Sequence, residues 1–105
     1  MDISETLLNE VKRKCYITDT NEITINKVKD MIKDAIPVVK RLIGLENIEF
    51  NFEDEDSEEE LKLLKNYCWY DWNDSINEFK DSYLDDINSL RHKWEVKQYA
   101  EEENQ

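Results

Sequence analysis

Glycine and proline are almost absent from this chain: Gly44 and Pro37 are the only examples among 105 residues. That leaves little turn chemistry for a sheet-rich fold, and a single glycine cannot build a phosphate-cradling loop. Histidine is limited to His92 and cysteine to Cys15 and Cys68, so no HExxH, CxxC or Cys/His metal spacing can be assembled. Each cysteine sits on an apolar helical face and reads as a small buried hydrophobe with a reduced thiol, a disulfide between them being the weaker alternative. No signal peptide and no apolar run long enough to cross a bilayer is found, which points to a protein cytosolic when made. Positive charge is also scarce: 14 Lys and Arg face 26 Asp and Glu, for a net charge of −12. Such a balance repels nucleic acid and anionic membranes. It leaves two acid-rich possibilities: a DNA mimic, or a protein that stands near DNA without sticking to it.

What is present favours helix. Glu, Lys, Leu, Ile, Asp and Asn dominate, and the expected fold is all-α, a small bundle of about four helices with a long C-terminal helix and an acidic loop. A chain of this length makes one domain, 1–105, burying roughly 60 to 70% of its unfolded surface. The organising stretch runs from Leu61 to Trp94. There Leu61, Leu64, Cys68, Trp72, Ile76, Phe79, Tyr83, Ile87, Leu90 and Trp94 recur at a mean step of roughly 3.7 residues, one apolar stripe at the α-helical period. The residues from Leu61 to Leu90 on this stripe are the candidate core.

Ahead of the stripe, residues 2–15 read as a first helix, with Asp2 and Glu5 spaced as a capping box and Ile3, Leu7, Leu8, Val11 and Cys15 on one face. A polar link, Tyr16 to Asn21, offers a second capping box in Asp19 and Glu22. The second helix is expected from about Thr20 or Thr24 to Ile43, closed by Gly44, with Pro37 introducing a kink or, as the weaker alternative, a break. Leu45 to Phe52 reads as a short extended segment whose rings plug a gap between helices.

Residues 53–60, EDEDSEEE, hold seven carboxylates in eight positions. An EF-hand loop would need a glycine at its sixth position and alternating ligands around it, and neither is present. The run reads as a solvated acidic loop entering a helix N-terminus, with Ser57 and Glu60 as its capping box. One helix over residues 57–100 would span ~66 Å, and Asn73, Asp74 and Ser75 favour a turn, with Ser75 and Glu78 as a further capping box. Two helices, about 57–72 and 75–100, are expected, with a single bent helix as the alternative. Residues 101–105 should fray.

No catalytic constellation emerges. His92 lies between Arg91 and Lys93 on a polar helical side, the serines stand in cap or surface contexts, and no catalytic, cofactor-binding or metal-ligating residue is assigned. The surplus is aromatic. In CWYDW, residues 68–72, Trp69 projects towards the Lys62, Lys65 and Asn66 side, where it either lies under the acidic loop or meets another subunit. Trp94 and Tyr99 approach an acidic end expected to offer few partners. Trp69, Trp94 and Tyr99 are therefore the candidate subunit interface.

From Asn51 to Tyr99 the chain resembles the small head-tail connector (adaptor) proteins of long-tailed bacteriophages. The likeness rests on Leu63, Leu64, Tyr67, Cys68, Tyr70 and Asn73, then a short break, then Phe79, Tyr83, Ile87, Leu90 and Arg91, preceded by Phe50 and Phe52 before the acidic run. The first two helices, closed by Ile43 and Gly44, extend it over nearly the whole chain. Asp85 and Asp86 depart from the pattern where a Glu is common, as do Trp69 and Trp72 where basic or small residues are frequent. The resemblance implies a structural virion protein without enzymatic activity or cofactor, made in the host bacterial cytoplasm and located at the head-tail junction. Its subunits would form a homo-oligomeric ring of about twelve copies, docked under the portal protein and receiving a tail-completion or stopper protein. DNA would pass through the ring without specific binding. An acidic DNA-mimic or protein-binding inhibitor module is the alternative.

Overall fold

The computed structural model describes residues 3–103. Among the described residues there are five α-helices and no strand: α1 (Glu5–Lys14), α2 (Glu22–Leu42), α3 (Glu58–Trp72), α4 (Ile76–Ser82) and α5 (Leu84–Glu103), with a 3-10 turn at Glu55–Ser57 leading into α3. The molecule is elongated, 50 × 28 × 20 Å. The all-α expectation holds, and one helix more than anticipated arises because residues 75–100 are interrupted at Tyr83, which closes α4 with φ −115° and ψ 19°.

Helix ends account for much of the layout. Ser4 caps α1, its hydroxyl accepting from the Leu7 amide at 3.0 Å, so the helix begins at Glu5 and the expected box on Asp2 falls outside the described residues. Asn21 caps α2, accepting from the Ile23 amide at 2.8 Å. Asp19 instead secures the link one step earlier, accepting from the Asn21 amide and the Thr24 hydroxyl, both at 2.8 Å. Neither Ser57 nor Ser75 makes a side-chain cap bond; each has a backbone in neither the extended nor the helical region, so its hydroxyl does not meet the free amides of the first turn.

Three helices end in the same way. After α1, α2 and α3 the next residue but one, Tyr16, Gly44 and Asp74, has a positive φ of 57°, 82° and 57°. In each case the following amide reaches back five residues: Ile17 to Lys12 at 2.9 Å, Leu45 to Lys40 at 2.8 Å and Ser75 to Tyr70 at 2.8 Å. These are Schellman closures, and only one of them uses the glycine that suits the left-handed position. α2 runs through Pro37 unbroken; Pro37 and Lys33, whose carbonyl loses its amide partner, are both exposed residues.

α1, α2 and α3 pack closely in pairs. Ser4 donates to Glu53 at 2.7 Å and Lys65 donates to Glu10 at 3.0 Å, so α1 runs parallel to α3. Val11, Val28, Ile32, Val39, Ile43, Leu45 and Leu64 are fully enclosed between them. Of the expected core residues, Leu64, Cys68, Phe79, Ile87 and Leu90 are buried, whereas Leu61, Trp72, Ile76 and Tyr83 pack against the core and stay partly accessible. The interruption at Tyr83 and the turn at Asn73–Ser75 rotate the stripe, so it cannot be sealed along its whole length. Leu63, beside the stripe, is buried instead.

Candidate interaction site

α3 is the element that both halves of the molecule share. On one side its rings meet those of α4 and of Tyr83, which closes that helix. Tyr67 lies edge-on to Phe79 at 5.0 Å, Tyr70 edge-on to Phe79 and to Tyr83 at 5.7 Å each, and Phe79 stacks on Tyr83 at 5.0 Å. Each such pair contributes about 0.5–1.5 kcal/mol beyond burial. Burial also pushes the Tyr67 and Tyr83 phenols above their ordinary value, so both remain neutral donors across the physiological range.

At the first turn of α3 stands Glu60, whose side chain has no exposed surface. Its Oε1 accepts from Lys93 Nζ at 2.6 Å and from Trp94 Nε1 at 3.2 Å. Its Oε2 is buried without a hydrogen-bond partner. Phe50 meets the Trp94 ring edge-on at 5.4 Å, and Lys97 lies over that ring at 4.7 Å. Gln98 then donates to the Gly44 carbonyl at 3.3 Å. Together these contacts fasten the second half of α5 to the lead-in of α3. Glu60 is therefore the anchor of an interhelical ion pair and not the capping partner of Ser57. Its register could have signalled this, since it stands four residues before Leu64, on the buried face.

The three rings expected at a subunit interface do not form one patch. Trp69 is half-buried beside Tyr70 at 5.2 Å, nine residues along α3 from Glu60. Trp94 is half-buried with the intramolecular partners just described, contrary to the expectation that few would remain. Tyr99 alone is mostly exposed, at 63%. Four exposed apolar residues escaped sequence reasoning, Leu84, Val96, Tyr16 at 86% and Ile23 at 80%; the last two belong to the link and first turn that polarity alone marked as surface.

His92 is exposed on α5, and no group of three or more His, Cys, Asp or Glu side chains is placed to hold a metal ion among the described residues. Cys15 and Cys68 are free and buried. Burial pushes their thiols up to about 11 and about 12, which leaves them protonated and unreactive. The acidic run is solvated apart from Ser57 and Glu60, and Asn51 organises its start by accepting from the Glu53 amide at 3.0 Å and donating to Asp54 at 3.2 Å. No described helix is long and apolar enough to cross a membrane. In comparisons with known proteins, no family model, no curated protein and no solved structure matches the chain.

Proposed function

We propose that the chain is a structural subunit of a bacteriophage head-tail connector, forming a ring beneath the portal that extends the DNA channel and joins capsid to tail. The observation that carries this reading is the fate of the residues on which the resemblance rests. Tyr67 and Tyr70 on one side of the break, and Phe79 and Tyr83 on the other, meet in one aromatic cluster. Ile87 and Leu90 are buried in the same core. The break itself falls at Asn73–Ser75, between α3 and α4. Residues that match a pattern in order and spacing thus share one structural task.

The charge supports the same role. Exposed carboxylates stand on the lead-in to α3 at Glu53, Asp54, Glu55 and Asp56, and where α4 passes into α5 at Asp81, Asp85 and Asp86. A wall of that sign along a conduit repels phosphates and lets DNA pass, where each attractive contact would act as a brake. The direct test is sedimentation of the purified protein with portal protein, followed by negative-stain imaging. Co-sedimentation with ring-shaped particles is expected; no association at micromolar concentration would sink the reading.

A further inference from the structure

The two ends of α1 carry surfaces that complement each other. At its N-terminal end, Ile3, Leu7, Ile36, Phe50 and Phe52 line a groove of about 500 Å³. Its acidic rim is Glu49, Glu53 and Asp54, and no cation lines it. At the other end, Lys12, Arg13 and Lys14 fill the last turn, and Tyr16 follows in the left-handed conformation with its ring in water. Cations in a last turn suit the helix dipole without further purpose. The dipole does not account for a tyrosine, strained and exposed, at a position that favours glycine.

We propose that Tyr16 of one copy of this chain inserts into the groove of the next, with Arg13 and Lys14 set against Glu49 and Asp54, so that copies associate head to tail. Charge complementarity selects a second copy as the occupant. The groove is acidic and apolar, and the end of α1 offers an aromatic ring beside three cations in a chain whose net charge is −12. Ten helical residues separate knob from groove by about 15 Å, so no molecule can fill its own groove. A contact between two different surfaces is heterologous and propagates into a ring or a filament. The inference deepens the connector reading by naming the seam between neighbours, and it rests on that reading only for closure of the contacts into a ring.

A charge-swap experiment tests it. Sedimentation velocity at low ionic strength, from roughly 10 µM to 1 mM, should show the wild type associating with concentration. Tyr16→Gly, which relieves the backbone strain, should keep or raise the melting temperature while weakening association about tenfold or more. Arg13→Glu with Lys14→Glu, and separately Glu49→Lys with Asp54→Lys, should each abolish association alone, because like charges then meet at every seam. An equimolar mixture of the two variants should recover it, since alternating copies restore opposite charges at both kinds of contact. A wild type that stays monomeric throughout, a Tyr16→Gly protein that associates like the wild type, or a mixture without recovery would each overturn the proposal. Portal binding is read separately: rings on portal that ignore the charge swap would discard this seam and keep the connector reading. Swap-dependent self-association without portal binding would do the reverse.

Discussion

On the side of α3 that faces α1 and α2, aliphatic side chains interlock between closely approaching backbones; on the other side α4 also comes close, but the backbone of α5 stands further off, and rings and one ion pair make the connections. The backbone of α5 makes its main close approach to α4, and its attachment to the rest rests on Ile87, Leu90 and the group around Glu60. The aliphatic side has many small contributions, each replaceable. The aromatic side concentrates its stability in a few residues, and those residues are where the comparison can be broken.

The largest effect should come from Phe79, which is 1% exposed and touches Tyr67, Tyr70 and Tyr83. Phe79→Ala removes the ring around which the other three are arranged, and should cost about 4 kcal/mol of unfolding free energy, measured by urea titration. A loss below about 1 kcal/mol would mean that α4 is a spectator and that the aliphatic side folds alone.

Next is the ion pair. Lys93→Met leaves the Glu60 carboxylate buried with only the Trp94 indole to meet it, and should cost about 3 kcal/mol. Adding Glu60→Gln should recover much of that loss, because an uncharged amide needs no counter-ion. Hydrogen exchange sharpens the contrast: in Lys93→Met, amide protection should fall in the second half of α5 and persist in α1 and α2. Uniform loss across all helices would show that the two sides of α3 unfold as one.

Smaller effects should follow at the three Schellman closures. Tyr16→Gly should stabilise by about 1 kcal/mol and Asp74→Gly by about 0.5 kcal/mol, since aspartate tolerates the left-handed region better than tyrosine. Gly44→Ala should destabilise by about 1 kcal/mol; an added Cβ would meet nothing within 4 Å, so the cost is conformational and not steric. Melting curves of the three variants separate these signs.

Helix content and the turn at Asn73–Ser75 were legible in the chain because both follow from local rules, apolar period and turn-forming residues. Gly44 as the stop of α2 was legible for the same reason. Local patterns misled where a long-range partner competed for the same side chain. Glu60 fits a capping box with Ser57 on spacing alone, yet Lys93 and Trp94, more than 30 residues away, offer it a charge and a donor inside the core. Trp94 was misjudged with it, since its burial depends on Phe50 and Glu60 both arriving from the lead-in to α3. The interruption at Tyr83 carries no proline, glycine or cap signal; it follows from stacking Phe79 on Tyr83 while Ile87 and Leu90 reach the core. Of the candidate interface, only the exposure of Tyr99 followed from position, and the strained Tyr16 could not be seen until the end of α1 was known.

The smallest effect is a pH dependence on the side of α3 that faces α1. Lys65 bonds Glu10 between α1 and α3, and that hydrogen bond, reinforced by the lysine charge, holds the Glu10 carboxyl below its ordinary value of 4.5. A carboxyl whose folded value is depressed binds its proton more weakly when folded, so its stabilisation is fully present above 4.5 and is lost as pH falls through the folded value. Both side chains retain some solvent access, 25% for Lys65 and 31% for Glu10, which limits the contribution to under about 1 kcal/mol. Glu10→Gln should therefore melt slightly below the wild type at pH 7, and the gap should close as pH falls below 4.5. Lys93→Met offers the contrast on the other side of α3: its deficit comes from a buried carboxylate left without its cation, and it is several-fold larger than that of Glu10→Gln at pH 7. A Glu10→Gln gap that stays constant with pH would assign the Lys65 contact to packing alone and remove the only charge pair that joins α1 to α3 among the described residues.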